Sequence, residues 1–218
     1  NDYSKFCSRK IKMKKLESLL DTQVQTYLHR VKNKEEIKNL VSGKITWKNY
    51  ARLLFTFYII EFLSQRAVNM ASINTQNSNP YLSKRFHSCA QGELGHAEIA
   101  LRDLRNLGEK EINPFCLEIV RKYDEFLQNA ADQFPLAILG HSYLFENVSG
   151  LLFPEIETVP YPSMFIEVHA KEDPIHSLAI KKTVRKVEEN LSEEEIERIA
   201  QFSKESGDYL IGLFDSLD

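Results

Sequence analysis

Along most of the chain apolar residues return every three or four positions, the spacing that gathers them on one face of a helix. "KLESLLDTQVQTYLHRV" (15–31) is the first such segment. Thr46 is placed to cap the next, 47–71, whose middle "LLFTFYII" is apolar on nearly every face and so predicts a central, buried position. The polar "SINTQNSNP" (72–80) reads as a loop. A helix over 81–108 follows, with Gly108 as its C-cap, and then a linker through Pro114. Further helices are predicted over 115–131 and 135–153, around "EVHAKEDPIH" (167–176) after the proline-studded "PEIETVPYP", and over 191–217 with Ser192 as N-cap. No stretch alternates apolar with polar residues long enough to build a sheet. The pattern predicts an all-α bundle of about seven helices in a single domain, 1–218, with the basic residues 1–14 as a frayed extension.

Composition narrows the function classes. With 43% apolar residues the chain can bury a sizeable core, and its net charge of −3 has both signs mixed along it. Neither a nucleic-acid partner nor an anionic membrane surface is implied. Cys7, Cys89 and Cys116 form no CxxC pair, so a thiolate zinc site or a disulfide framework is not indicated, and a cytoplasmic setting is expected. The longest apolar run is far short of a membrane span.

The candidate chemistry lies on the helices. His169, Asp173 and His176 follow one another at spacings of four and three. At about 100° per residue their side chains fall within roughly 60° of one another, on one face. Pro174 stands inside this motif and implies a first turn or a bend. Glu93 and His96 form one Glu-x-x-His pair on adjacent turns of the 81–108 helix, a weak signal alone. Glu146 shares an apolar stripe with Leu139, Tyr143 and Gly150, and Glu61 is the lone charge in the most apolar stretch of the chain. A carboxylate in such a place must be paired, neutralised or bound to a cation. Each group has a plain structural reading: an interior Glu is more often a hydrogen-bonded core residue, and Glu-x-x-His arises easily on solvated helices. Together the seven residues, Glu61, Glu93, His96, Glu146, His169, Asp173 and His176, suffice for two metal ions. Of the remaining histidines, His29 reads as solvated, His87 and His141 have no assigned role, and Cys89 reads as a small buried hydrophobe. The "GHSYLFENVSG" stretch (140–150) lacks the tightly spaced glycines that would let a backbone lie against a porphyrin, so no haem is expected.

These residues carry a resemblance. The His169/Asp173/His176 motif with the acidic Glu167 before it, Glu146 in "SYLFENVSG", "SGKITWKNYARLL" and the closing "GDYLIGLFDSLD" resemble the haem-oxygenase-like di-iron oxidase and oxygenase superfamily, and within it the CADD-like branch. The resemblance spans roughly 35–218. It implies a haem-oxygenase-like fold, of the kind that TenA and PqqC share, and two iron ions, with a manganese–iron pair as the variant. It also implies dioxygen as co-substrate and a small amine, amino acid or fatty acid as substrate. A homodimer is a reasonable expectation. The branch's first metal-binding Glu stands seven residues before the His; here Cys89 occupies that place. The fatty-acid decarboxylase branch offers Glu93 and Glu61 in its stead. Some relatives consume one of their own tyrosines, and Tyr27, Tyr50 and Tyr58 are the nearby candidates. The alternative implied by Cys89 is a protein-interaction module that has kept the bundle and lost the chemistry. Haem or thiamine-pyrimidine chemistry would instead need His29 or Cys89 in the cavity.

Overall fold

The computed structural model describes residues 15–109 and 117–216. The expected frayed extension, the linker through Pro114, and Cys7 and Cys116 fall outside these bounds. The described residues form helices α1 (Lys15–Lys32), α2 (Glu35–Val41), α3 (Trp47–Asn74), α4 (Pro80–Gly92), α5 (His96–Asn106), α6 (Glu118–Gln133), α7 (Ala137–Leu152), α8 (Met164–Glu188) and α9 (Glu193–Asp215), with a 3-10 turn at Phe153–Glu155. No strand occurs among them. None of these helices is long and apolar enough to cross a membrane.

Local chemistry sets the boundaries. The Thr46 side chain accepts from the Asn49 amide and starts α3. Ser192 and Glu195 form a reciprocal capping box that starts α9. The left-handed Gly108 follows the end of α5. Two expectations need correction. Helix α3 runs on through residues read as loop, to Asn74, because Ser72, Ile73 and Asn74 each cost a helix only a fraction of a kcal/mol, about 0.7 at most, and no Gly or Pro stands among them. The expected 81–108 helix is two helices, broken at "GELG". Gly95 adopts φ +99°, which residues with a Cβ rarely reach, and this turn redirects the chain into α5. Replacing it, as Gly95→Ala, is expected to cost about 1–2 kcal/mol in urea unfolding and to weaken any metal bound through His96.

The helices pack as two groups. Helix α3 carries α4, α5 and α6 along its length, and α1, α7, α8 and α9 pack on one another. Aromatic contacts join the groups: Phe57 of α3 stacks on Phe165 of α8, their centroids 5.3 Å apart, and meets Phe153 and Phe214 edge-on. Each such ring removed from water contributes about 1.5–3 kcal/mol. Pro174 does not break α8, which runs unbroken past it. Its turn lies directly against Gly150 of α7, where a Cβ would come within 3.0 Å of the Asp173 carbonyl oxygen. This tight approach holds Asp173 toward the seam between the two groups, where the polar residues collect.

Candidate metal centre

All seven sequence-designated residues meet at that seam. Glu61 comes from α3, Glu93 from the break after α4, His96 from the first position of α5, Glu146 from α7, and His169, Asp173 and His176 from α8. Glu61, Glu93, His96 and His169 each offer one atom within 4.8 Å of the others, and so do Glu146, Asp173 and His176. Atoms sharing one ion at about 2.1 Å stand at most about 4.2 Å apart, so small side-chain rotations close both sets.

Glu93 joins the two sets. Its Oε2 lies 2.7 Å from His96 Nδ1, and its Oε1 lies 3.1 Å from His176 Nδ1. His176 Nδ1 is also 3.5 Å from Glu146 Oε2, and His169 Nε2 is 3.5 Å from Glu61 Oε1. These approaches pair charge without aligning hydrogen bonds: His96 Nδ1, His169 Nε2, His176 Nδ1 and Asp173 Oδ2 are all buried atoms with no hydrogen-bond partner. Buried polar atoms normally find partners. Here they share one space between them. The break at Gly95 puts His96 across from Glu93 rather than a turn above it on the same helix.

The outer nitrogens of two imidazoles are held. His169 Nδ1 donates to the Phe165 carbonyl at 2.7 Å, which leaves Nε2 to face the site. His96 Nε2 approaches Glu172 at 3.5 Å. Such partners orient metal-binding histidines. His169 and Asp173 are 2% and 3% exposed, so four carboxylates and three imidazoles crowd a space that water barely reaches.

That crowding shifts their protonation. Burial lifts the Asp173 carboxyl to about 7, against the pull of His169, and burial likewise lifts Glu146. Burial also opposes ionisation of Glu93, but the flanking His176 and His96 outweigh it and bring that carboxyl down. Glu146 and Glu93 raise His176 to about 11, and Glu61 overcomes burial to raise His169 to about 9. Without a cation, protons hold the charges in balance. The donor set fits two ions: hard carboxylates and borderline imidazoles suit divalent iron or manganese, and Glu93 can bridge.

A cavity opens from the site toward α3, α7 and α9, with walls that include Ile60, Val68, Phe145, Leu152 and Phe214. Ser64 and His141 also line it, and Ser64 Oγ lies 2.9 Å from His141 Nε2. Burial pushes His141 down to about 3, so its ring stays neutral. Residue spacing assigns His141 no role; its only signal is a polar residue in an otherwise apolar helix start. Cys89, expected as a small hydrophobe, lines the same cavity. His29 is exposed on α1 beside Asn33, and His87 is exposed on α4, so neither reaches the site. The candidate tyrosines pack elsewhere: Tyr27 hydroxyl bonds Lys204 carbonyl and Asp208, Tyr50 stacks on Tyr161, and Tyr58 packs against Phe55 and Phe62.

Comparison with solved structures identifies the architecture. The chain is similar to a TenA homologue from Pyrococcus furiosus, with a TM-score of 0.78 and 17% identity over 93% of this chain and 100% of that one. It is similar also to a domain of unknown function with a haem-oxygenase-like fold from Shewanella denitrificans, with a TM-score of 0.74 and 23% identity over 94% and 90% of the two chains. A TenA homologue from Pseudomonas syringae pv. tomato gives 0.71 and 13% over 93% and 92%. The chain has the haem-oxygenase-like fold. No protein-family model matches the sequence, and no curated protein matches it. At these identities the likeness is one of fold, and the site must speak for the function.

Proposed function

We propose that this protein is a non-haem di-iron oxidase or oxygenase acting on a small amine, amino acid or fatty-acid-type substrate. The observation that carries the reading is the convergence of seven ligand side chains in two sets, in which His96 Nδ1, His169 Nε2 and His176 Nδ1 face carboxylates without an aligned hydrogen bond and Asp173 Oδ2 is buried without a hydrogen-bond partner. One position would be held by Glu61, Glu93, His96 and His169, and the other by Glu93, Glu146, Asp173 and His176. Iron bound there supplies electrons to dioxygen. The residues of the chain do the rest. Glu93 spans the two positions, the Phe165 carbonyl and Glu172 fix the directions of His169 and His96, and the apolar wall excludes water from the reacting face. The Ser64–His141 pair offers a neutral hydrogen-bonding end for a polar group of the substrate.

Two rival readings meet specific observations. An interaction module that had lost its metals would pair its core polar groups internally; Glu93 does face His96 and His176, and Glu61 faces His169, but Asp173 Oδ2 is buried without a hydrogen-bond partner, which favours an ion. A thiamine-pyrimidine chemistry would use Cys89 as a nucleophile. Burial holds that thiol well above its ordinary range, and Glu146, Glu93 and Glu61 push it further. Such surroundings disfavour a free thiolate.

The test is anaerobic ferrous titration followed by an oxygen pulse with rapid optical detection. Close to two ferrous ions per chain and a transient absorption after oxygen support the oxidase; no bound iron refutes it. Glu61 sharpens the test. Its side chain is 18% exposed, the most accessible carboxylate among the four, and it borders the cavity. Glu61→Gln keeps shape and hydrogen-bonding capacity but removes the charge a cation needs. The variant is expected to fold normally and to bind less iron or to give a shorter-lived transient. Unchanged stoichiometry and lifetime would return Glu61 to a structural role.

A further inference from the structure

Cys89 stands outside the seven residues, yet it faces the same space. It lies one helical turn before Glu93, and its Sγ is 3.9 Å from Glu146 Oε1. Single ligand atoms of Cys89, Glu93 and Glu146 fall within 4.8 Å of one another. A sulfur and an oxygen bound to one ion at about 2.3 and 2.1 Å stand about 3.6 Å apart at a tetrahedral angle. The observed gap exceeds this by a few tenths of an ångström, within reach of a small rotation. A second feature marks the space as a ligand site: Asp173 Oδ2, on a residue 3% exposed, has no hydrogen-bond partner and groups with His176 and with Glu146, the residue common to both sets. Cys89 also lines both cavities that meet at Glu93 and Glu146.

We propose that Cys89 is a thiolate ligand at the second metal position, on the side that Glu93 and Glu146 form. This rests on the two-ion reading above and extends it: the two positions are chemically unequal, one nitrogen and oxygen only, the other bearing sulfur. On binding, the metal–sulfur bond forms as the S–H bond breaks, and the proton leaves to solvent. No electron is transferred. The sulfur shifts the second position toward iron, cobalt or zinc and away from magnesium or calcium.

Cobalt(II) is the probe, because thiolate ligation adds a near-ultraviolet sulfur-to-metal absorption to its visible bands. The full chain is titrated without oxygen, as wild type, Cys89→Ser, and Cys7→Ser/Cys116→Ser. Wild type and the double variant are expected to bind two cobalt ions and to show the near-ultraviolet band. Cys89→Ser keeps visible bands, loses the near-ultraviolet one, and binds its second cobalt at least about tenfold more weakly. Alkylation mapped by mass spectrometry gives a reading on the wild-type chain itself: cobalt should slow modification of Cys89 at least about tenfold. Two bound cobalt ions with no sulfur band, a band unchanged in Cys89→Ser, or equal alkylation with and without cobalt each overturns the Cys89 assignment and leaves the two-ion site standing. No cobalt bound at all overturns both.

Discussion

His169→Ala is expected to lower the ferrous iron bound from close to two per chain to one or none. His169 is the most buried of the ligands and the one whose direction is most firmly set, with Nδ1 committed to the Phe165 carbonyl. Its removal takes a nitrogen from the first position and leaves Glu61 and Glu93 facing each other with less compensating charge. Breaking a buried charged set in this way is costly, and the loss of an inner ligand should exceed the 10–100-fold weakening typical of an outer partner, so about 100-fold or more is expected. His176→Ala should instead empty the second position, since that ring approaches Glu93 and Glu146. His87→Ala, at an exposed position of α4, is the control and should bind iron as the wild type does. Equal stoichiometry in all three variants would remove the metal reading. The check is iron content by mass spectrometry after anaerobic loading and desalting.

The second large effect is on stability, and it depends on pH. Asp173 and Glu146 have carboxyls raised mainly by burial, so the fold keeps their protons to higher pH than the unfolded chain does. Stability therefore falls as pH rises from about 4 to 7. His169 and His176 are raised to about 9 and about 11, and what they contribute is complete below about 6.5 and lost as pH climbs through those values. All four slopes have one sign, at about 1.4 kcal/mol per pH unit for each group within its window. Glu93, held low, and His141, pushed down to about 3 by burial, act oppositely: the contribution of Glu93 is lost on the acid side below about 4.5, and neutral His141 costs stability as pH falls below about 6.5. The metal-free protein is thus expected to melt at a lower temperature near pH 9 than near pH 5. Metal ions compete with these protons, so their stabilisation grows over the same range. Two ions, each at about 100 times its dissociation constant, add about 2.7 kcal/mol apiece, or roughly 10–20 °C for a chain of this size. Thermal melts with chelator and with ferrous iron across this range provide the measurement. A metal-independent melting temperature at high pH would contradict the account.

The physics of single helices explains what could be read in advance. The His169/Asp173/His176 face follows from 100° per residue alone. Caps at Thr46 and Ser192 are local hydrogen bonds that short motifs encode, and both are present. The isolation of Glu61 and Glu146 among apolar residues is a local signal too. What stayed hidden depends on contacts distant in sequence or on one backbone angle. The break at Gly92–Gly95 interrupts a segment whose apolar spacing continues across it, and a glycine inside such a pattern does not announce a turn. Glu93 and His96 consequently face each other across a corner instead of along a helix. Pro174 implies a first turn or a bend, yet it removes only one backbone donor, and the helix continues past it with its turn seated against Gly150. Cys89 and His141 were read by residue type, as filler and as leftover. Their roles emerge only when α4 and α7 are brought against the carboxylates, a pairing that no spacing within either helix contains.

The central claim is that two ions sit at the seam between the helix groups. It is tested most directly by diffraction from anaerobically iron-loaded crystals at the iron absorption edge. The account predicts two anomalous peaks per chain, one within bonding distance of Glu61, Glu93, His96 and His169, the other of Glu93, Glu146, Asp173 and His176. No peak at the seam, or a single peak with His169 Nε2 and His176 Nδ1 both unligated, would contradict it.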